Sequence, residues 1–173
     1  MNTRLQEALT RPGDSIVPMS VGRHTYGKPL IKAYHSALDA KISIGAFCSI
    51  ADGVTFLLGG NHDYRRWTTY PMNLLFEGSS LPWHESTKGG ITIGNDVWIG
   101  YGATILDGSV IGDGAVIGAC AVVAGVIPPC VIAAGNPCRP IKRRFTPEET
   151  ERYLNSAWWT RSDAEIAQLC KTL

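Results

Sequence analysis

The sequence predicts an all-β protein built as a parallel β-helix, with one extruded loop and short helices at the C-terminus. Three observations lead to this prediction. An aliphatic residue returns at every sixth position through the second half of the chain, the repeat is interrupted for about thirty residues before it, and helix-capping residues follow the last repeat. A period of six fits neither an α-helix nor a simple strand, whereas six-residue sides that stack form the flat faces of a solenoid.

The regular part of the repeat begins at Ile93. Its aliphatic positions are Ile93, Ile99, Ile105, Ile111, Ile117 and Val123. A compact side chain stands four positions after each of them, at Val97, Ala103, Ser109, Ala115, Ala121 and Ile127. Because identical positions of successive coils stack on one another, these two sets are predicted to form the core.

A weaker form of the repeat precedes it, with aliphatic or aromatic residues at Ile44, Ile50 and Phe56. Cys48 falls in a compact position of this block, which favours a packing role over that of a nucleophile. Residues 16–43 keep only traces of the repeat, so we predict degenerate coil there and a loop around residues 28–35.

The interruption predicts a loop that leaves the coil at about residues 58–90. Phe56 and Ile93 are 37 residues apart, which is not a multiple of six. The segment contains Pro71 and Pro82 and several aromatic residues. Long loops in compact folds are mostly functional or disordered, and the apolar surface of aromatic side chains disfavours disorder. We therefore expect a functional loop.

The last segment, residues 146–173, is predicted to be helical. Thr146 is a candidate N-cap with Glu149 three residues later, and Ser162 with Glu165 repeats this capping box before a helix that ends near Leu169. Trp158 and Trp159 stand between the two helices, and we expect them to anchor the tail rather than to bind a ligand. The domain organisation is thus a lead-in at 1–15, a β-helix at 16–145 and this tail.

Composition narrows the class of protein. The 173 residues carry a formal net charge of +1, so no strong field favours nucleic acid. No apolar run approaches the ~18 residues of a membrane-spanning helix, and the polar N-terminus lacks a signal peptide, so we expect a cytoplasmic protein without a membrane span. Five cysteines without a C-x-x-C pair argue against a disulfide framework or a zinc ribbon.

Four stretches carry a resemblance to a known family. They are "FCSIADGVTFLLGGNHDYRRWTTYP" (47–71), "GNDVWIGYGATI" (94–105), "AAGNPCRPIKRRF" (133–145) and "LNSAWWTRSDAEI" (154–166). Together with the hexads they resemble the xenobiotic acetyltransferase group of the hexapeptide-repeat acyltransferases, which includes streptogramin and chloramphenicol acetyltransferases, over residues 20–170. The resemblance implies a left-handed β-helix, acetyl-CoA as donor, and a homotrimer with active sites between subunits.

His62 is the candidate catalytic residue. Acyl transfer to a hydroxyl needs a base, and histidine suits this because its ordinary pKa is near neutrality. His62 lies in "GGNHDY" at the start of the loop, and the resemblance implies that it is the general base; the alternative is a solvated loop histidine. Either Asp63 or a backbone carbonyl could orient its ring. No cysteine has the surroundings of an activated thiolate, so we predict direct transfer in a ternary complex, with a backbone N–H as oxyanion donor.

The resemblance also implies a donor site along the coil edges. The residues that match the groove for the pantetheine arm are Tyr101, Ala119, Ala124 and Gly125, and Trp98 is expected to help form its wall. Arg139 and Lys142 match the cations that hold the nucleotide phosphates. The alternatives are small residues at coil corners for the first set and a solvated charge run for the second.

The acceptor site is predicted from the loop and from the first coil. Trp67 and Tyr70 provide an apolar wall, and Tyr26 matches a tyrosine of the family that faces the acceptor. Aromatic walls stack on sugars as readily as on antibiotic rings, so a saccharide, a polysaccharide and an antibiotic all remain possible acceptors. The short chain tilts the choice slightly towards a saccharide, and N-acetylation of an amino sugar fits less well.

Two other classes of protein compete. A γ-type carbonic anhydrase has the same coil but needs three histidines around zinc, and this chain has no histidine after His84, so we expect no metal. A non-enzymatic scaffold would use the faces of the solenoid to bind partners. That hypothesis does not explain the His62 segment or the basic residues that follow the last coil.

Overall fold

The six-residue repeat folds as successive short sides of a three-faced coil. The computed structural model describes residues 17–34, 37, 40–70 and 85–171. The predicted lead-in at 1–15 and the middle of the loop, with Pro71, Pro82 and His84, lie outside these residues.

Five turns of the coil, here called rungs, are present in the described part. Rung 1 contains β1 (Met19–Val21) and β2 (Leu30–Ala33), and rung 2 contains β3 (Ile42–Ile44), β4 (Ser49–Ile50) and β5 (Thr55–Leu58). The short strands β6 (Asn61–His62) and β7 (Glu85–Ser86) follow in the loop. Rung 3 contains β8 (Ile91–Ile93), β9 (Trp98–Ile99) and β10 (Thr104–Leu106), and rung 4 contains β11 (Val110–Ile111), β12 (Val116–Ile117) and β13 (Val122–Val123). Rung 5 contains β14 (Val126–Ile127) and β15 (Val131–Ala134), and β16 (Arg139–Arg143) is the exit strand.

The strands form three faces, each a sheet of stacked parallel strands. Face 1 has the order β1-β3-β8-β11-β14, face 2 the order β4-β9-β12-β15 with β16 added at its end, and face 3 the order β2-β5-β10-β13. The chain turns at three edges. Edge 1–2 joins face 1 to face 2 and includes His24, Phe47, Asp96 and Gly114; edge 2–3 includes Tyr101, Gly102, Ala119 and Cys120; edge 3–1 includes Asp107, Gly108, Ala124 and Gly125.

The predicted core is confirmed, because the aliphatic positions stack rung upon rung. Ile44 pairs with Ile93, and Ile93 pairs with Ile111. The compact positions also point inward, and Cys48 is fully buried among them. Removing a large side chain from such a column costs about 2 to 5 kcal/mol, because the neighbours close only part of the cavity.

The position assigned to Ile127 was wrong. Ile127 pairs with Ile111 and so occupies an aliphatic position rather than a compact one. The step from Ile111 to Ile127 is 16 residues, whereas Ile93 and Ile111 are 18 apart, so the last corner of edge 3–1 is two residues short. Gly125 allows this tight corner because its φ is +104°, a backbone conformation that residues other than glycine rarely adopt.

Two other boundaries also differ from the prediction. The loop expected around residues 28–35 is interrupted by β2, whose residue Ile31 pairs with Phe56 in regular register. The coil expected to continue to Ile141 ends at Ala134, because β16 reverses direction and pairs antiparallel with β15. Neither change is visible in the hexad pattern, since both segments keep apolar residues at similar spacing.

The tail has the predicted helices, with both capping boxes formed. Helix α1 covers Pro147–Ser156, a 3-10 turn covers Trp158–Thr160, and helix α2 covers Asp163–Leu169. An N-cap of this kind contributes about 1 kcal/mol to helix stability. No helix within the described ranges is long and apolar enough to cross a membrane.

The tail runs back along edge 1–2 from rung 5 to rung 1. The phenol of Tyr153 donates a hydrogen bond of 2.5 Å to Asp96, and the Trp158 ring lies 4.7 Å from the ring of Phe47. At the far end Asp163 pairs with Arg23 and accepts a 2.9 Å hydrogen bond from His24, which lowers the pKa of that carboxyl. The expected anchoring role of the two tryptophans is confirmed.

Candidate active site

His62 lies where the extruded loop leaves the coil. Two glycines with positive φ, Gly59 and Gly60, turn the chain out of β5. A Cβ atom on Gly60 would come within 2.7 Å of the Tyr34 ring, so only glycine allows this close approach. The next strand, β6, pairs antiparallel with β7, and His62 is opposite Glu85 in this ladder.

The orientation of the imidazole ring of His62 is set by the loop itself. Its Nδ1 lies 2.9 Å from the carbonyl oxygen of Thr69. Because a carbonyl oxygen can only accept a hydrogen bond, Nδ1 carries the proton, and the lone pair of the neutral ring is on Nε2. The ring is solvent-exposed. A neutral imidazole with its lone pair on Nε2 is the state that a general base requires.

Asp63 is not the partner of this ring. Its carboxylate accepts hydrogen bonds from the backbone N–H and the Nε of Arg65, at 3.1 and 3.0 Å, and from Nε of Arg66 at 3.4 Å. The hydrogen bond from the Arg65 guanidinium is the main reason that the pKa of Asp63 is lowered. Of the two alternatives for orienting His62, the structure contains the backbone carbonyl.

A buried carboxylate that the sequence did not suggest lies below the loop. Asp107, on edge 3–1, is 5% exposed. Its Oδ2 accepts hydrogen bonds from the side chains of Asn61 and Thr87 and from the backbone N–H of Lys88. In the sequence repeat Asp107 occupies an ordinary corner position beside a glycine. Only its hydrogen bonds in the folded protein distinguish it from other corner residues.

The aromatic residues in the described part of the loop lie at the surface. Tyr64, Trp67 and Tyr70 are 82%, 91% and 52% exposed. A tryptophan with nearly all of its surface in water is unusual unless another molecule covers it. The loop thus presents apolar surface on the same segment that holds His62, as the prediction for Trp67 and Tyr70 requires.

The residues predicted to bind the donor fall into two groups on different sides of the coil. Ala124 and Gly125 lie on edge 3–1, the edge from which the His62 loop leaves. The second group comprises Tyr101 and Ala119 on edge 2–3, across face 3 from the first group, together with Trp98 on the adjoining face 2. Trp98 points outward from face 2, in one column with Tyr26. One chain therefore does not bring the predicted donor residues into a single groove.

Arg139 and Lys142 belong to the second group, and a bulge places them on one side of their strand. Residues three apart in a regular strand point to opposite sides. Here Arg139 pairs with Ala134 and Lys142 pairs with Ile132, with a register shift between the two pairs. Ala134 and Ile132 point to the same side of β15, so Arg139 and Lys142 also share one side of the sheet. Lys142 thereby joins the outward column of face 2 that contains Trp98, at a distance of roughly 14 Å along the sheet.

The cysteines give no support to a covalent route. Burial raises the pKa of the Cys48 thiol, and its Sγ lies 3.1 Å from the carbonyl oxygen of Gly94. Burial likewise raises the pKa of Cys130 and Cys138. A raised pKa keeps a thiol protonated at neutral pH, whereas a nucleophile must be a thiolate. The packing role expected for Cys48 is consistent with its place in the core.

Comparison with known proteins identifies the family. Residues 90–125 match the family model described as bacterial transferase hexapeptide (six repeats). The chain is 41% identical over 145 residues to a probable macrolide acetyltransferase of Lysinibacillus sphaericus, covering 79% of this chain and 78% of that protein. The chain belongs to the hexapeptide-repeat acetyltransferases. It is also 39% identical over 142 residues to a chloramphenicol acetyltransferase of Klebsiella aerogenes, covering 76% of this chain and 67% of that protein.

Solved structures of hexapeptide-repeat acetyltransferases have the same fold. One from Vibrio cholerae in complex with acetyl-CoA has a TM-score of 0.57 at 28% identity, over 73% of this chain and 61% of that one. A galactoside acetyltransferase in complex with coenzyme A has a TM-score of 0.55 at 30% identity, over 76% of this chain and 57% of that one. The chain thus spans less than two thirds of the length of either structure. The predicted family, acyltransferase class and left-handed β-helix are confirmed.

Proposed function

We propose that this hexapeptide-repeat acetyltransferase transfers the acetyl group of acetyl-CoA to a hydroxyl group of an acceptor with an apolar face, with His62 as general base. The observation that carries the proposal is the hydrogen bond from Nδ1 of His62 to the carbonyl of Thr69. It puts the lone pair on Nε2, on a loop that also presents Trp67 and Tyr70. The donor is proposed because acetyl-CoA and CoA are bound in the structures of relatives.

The reaction proposed for this site is direct transfer. Nε2 of His62 takes the proton of the acceptor hydroxyl while its oxygen attacks the thioester carbonyl carbon. The tetrahedral intermediate then expels the sulfur of CoA, and the imidazolium returns the proton to that sulfur, so the products are an acetyl ester and free CoA. We propose that a backbone N–H stabilises the oxyanion. Acetyl-CoA is made in the cytoplasm, where we place the protein.

For the acceptor, we propose an antibiotic-like compound ahead of a saccharide. The exposed rings of Tyr64, Trp67 and Tyr70 favour an acceptor with a broad apolar face. The sequence relatives at 39–41% identity are named for macrolide and chloramphenicol acetylation, whereas the galactoside acetyltransferase structure is 30% identical. The argument from short chain length loses force, since the chain covers 78% of the macrolide acetyltransferase.

We further propose a homotrimer in which the active site lies between subunits. The support is the separation of the two groups of predicted residues in one chain. The His62 loop, Ala124 and Gly125 belong to edge 3–1, while Tyr26, Trp98, Arg139 and Lys142 belong to face 2. If edge 3–1 of one subunit faces face 2 of the next, both groups line one groove, and a threefold axis closes the arrangement.

The test is an acetyl-transfer assay with wild type and His62→Ala. Release of free CoA thiol is followed with a macrolide, chloramphenicol, a streptogramin, maltose and a galactoside as acceptors, and acetyl-CoA binding is measured by calorimetry. We expect acetyl-CoA to bind at micromolar strength, about one per chain, and transfer to an antibiotic-like acceptor that His62→Ala abolishes. A folded protein that binds no acetyl-CoA would refute the proposal, and transfer to the sugars alone would replace the proposed acceptor class.

A further inference from the structure

The two ends of the extruded loop meet at one buried carboxylate. At the start of the loop, Nδ2 of Asn61 donates to Oδ2 of Asp107 over 2.8 Å. At the return of the loop, Thr87 Oγ1 and the backbone N–H of Lys88 donate to the same oxygen over 2.9 and 2.7 Å. Hydrogen bonds to a buried charged group are stronger than those between neutral groups. Asp107 is therefore a clasp that closes the loop at its base.

The clasp lies next to the proposed base in the sequence and in space. Asn61 immediately precedes His62 in β6, and Ser86 immediately precedes Thr87 at the end of β7. The ladder between β6 and β7 is strengthened by Asn61 Nδ2 donating to the Ser86 carbonyl at 3.1 Å and by Ser86 Oγ donating to the Asn61 carbonyl at 3.2 Å. The backbone that carries His62 is thus held through Asn61 to an aspartate of the rigid coil.

We propose that Asp107 is a positioning residue for His62. Asp107 fixes both ends of the loop to edge 3–1, and the fixed loop base holds the imidazole where its Nδ1 meets the Thr69 carbonyl and its Nε2 faces the reacting groups. This inference rests on the proposed function, because it assumes that His62 is the base. Asp107 itself touches neither substrate in this mechanism.

The physical reason for an effect on catalysis is the sensitivity of proton transfer to geometry. A β6–β7 pair has two residues on each strand, which is too short to be stable by itself in water. Without the clasp, the loop base would lose three hydrogen bonds that tie it to the coil. A displacement of about 1 Å at a reacting group can lower the rate by about 100-fold. The hydrogen bonds of Asp107 go to the two ends of the loop and not to Ala124 or Gly125 of the same edge, so acetyl-CoA binding should change little.

The experiment compares Asp107→Ala and Asp107→Asn with a matched control, Asp113→Ala. Asp113 lies one rung further, on edge 1–2, where Oδ1 accepts hydrogen bonds from the backbone N–H and the side chain of Asn95, remote from the loop. We expect Asp107→Ala to lower kcat by about 10- to 100-fold with the KM for acetyl-CoA within about two-fold. Asp107→Asn keeps a neutral acceptor oxygen, so its kcat should lie between wild type and Asp107→Ala. Asp113→Ala should keep the kcat of wild type.

A spectroscopic readout tests the positioning directly. Long-range 1H–15N correlation spectra show which ring nitrogen of a histidine carries the proton, and the signals of His62 are assigned by their loss in His62→Ala. We expect a single Nδ1-protonated tautomer in wild type and in Asp113→Ala, and a mixture of tautomers in Asp107→Ala. A change confined to melting temperature, with the His62 tautomer and kcat as in wild type, would overturn the proposal.

Two further outcomes separate this proposal from the proposed function. If wild type binds no acetyl-CoA and acetylates no acceptor, the proposed function fails, while the tautomer of His62 in Asp107→Ala still decides whether Asp107 holds the ring. If Asp107→Ala does not fold, Asp107→Asn and Thr87→Val take its place, since each weakens bonds to the same oxygen. We expect each to lower kcat by about 3- to 10-fold. Unchanged kcat in both would refute the positioning role.

Discussion

At the scale of single residues, the chemistry of the proposed site depends on which partner the imidazole of His62 has. The sequence singles out His62 from its loop position and its family motif, but it leaves both Asp63 and a backbone carbonyl open as the partner. Seven residues separate His62 from Thr69, and no local pattern indicates that the loop folds back so far. The role of Asp107 could not be predicted either, because its three hydrogen-bond partners are 19 to 46 residues away in the sequence.

The general-base role predicts a specific kinetic result at His62. Replacement by alanine or by glutamine should lower kcat by about 100- to 10,000-fold, the usual contribution of a positioned base. Calorimetric affinity for acetyl-CoA should stay within about two-fold of wild type, because the proposed role of His62 is to take the proton of the acceptor and not to hold the donor. A variant that retains more than a tenth of wild-type kcat would remove His62 from the mechanism.

At the scale of elements, the exit strand shows how a register shift brings two cations of the proposed donor site to one side of a strand. The sequence placed Arg139 and Lys142 in the donor site by family motif, but their spacing of three would separate them in a regular strand. The bulge in β16 cannot be seen in the sequence, since it depends on the pairing with β15. Arg143 is adjacent to Lys142 in regular register and pairs with Val131, so it points to the other side of the strand.

This arrangement predicts how three cations of the same strand will differ. Arg139→Ala and Lys142→Ala should each weaken acetyl-CoA binding by about 3- to 10-fold, as expected for loss of one charge-assisted hydrogen bond, and weaken binding of the donor lacking the 3′-phosphate less. Arg143→Ala is the matched control and should bind both donors as wild type does. Titration calorimetry measures the affinities of wild type and the three variants for both donors, and equal losses for both donors would place the 3′-phosphate elsewhere.

The tail predicts a pH dependence of stability. Burial and the hydrogen bond to Asp96 raise the pKa of Tyr153 above its ordinary value of about 10. Between the ordinary and the raised pKa the unfolded chain releases the phenol proton while the folded chain keeps it, so stability falls as pH rises above about 10. Melting temperatures from pH 8 to 11.5 should therefore fall less steeply for Tyr153→Phe than for wild type. Equal slopes would show that the phenol keeps an ordinary pKa in the folded protein.

At the scale of the whole molecule, the repeat predicted most of the architecture. Rungs 2 to 4 follow from the period of six alone, because a column of identical positions is the only core that such a period can build. The first and last rungs differ from the prediction at β2, Ile127 and β16. These rungs form the two ends of the stack, where the six-residue pattern no longer determines the path of the chain. The sequence could not predict that the two groups of site residues lie on different sides of the coil, because residues of the two groups alternate along the chain.

Shared active sites predict that two damaged chains can complement each other. His62→Ala lacks the proposed base, and the double replacement Arg139→Ala with Lys142→Ala lacks the proposed phosphate-binding cations. In randomly mixed trimers, about a quarter of the sites would combine an intact loop from one subunit with intact cations from the next. Co-expression should therefore restore about a quarter of wild-type activity at low acetyl-CoA concentration.

The same experiment distinguishes active sites shared between subunits from active sites within a single chain. Sedimentation velocity should show a single trimeric species for wild type and for the mixture. Activity of the mixture no higher than the mean of the two variants would place each active site within a single chain. A monomer at micromolar concentration would exclude shared sites altogether.

The return of the tail along edge 1–2 has a consequence for how this solenoid loses its structure. A stack of repeats that touch only their neighbours frays from its open ends, one layer at a time. Here the segment that leaves rung 5 reaches Arg23 and His24 of rung 1, so both ends of the stack are joined through α1, the tryptophan pair and α2. Neither end can peel away alone without breaking this connection. The coil should melt as one unit, and amide protons in its outermost rungs should exchange with solvent almost as slowly as those in the middle.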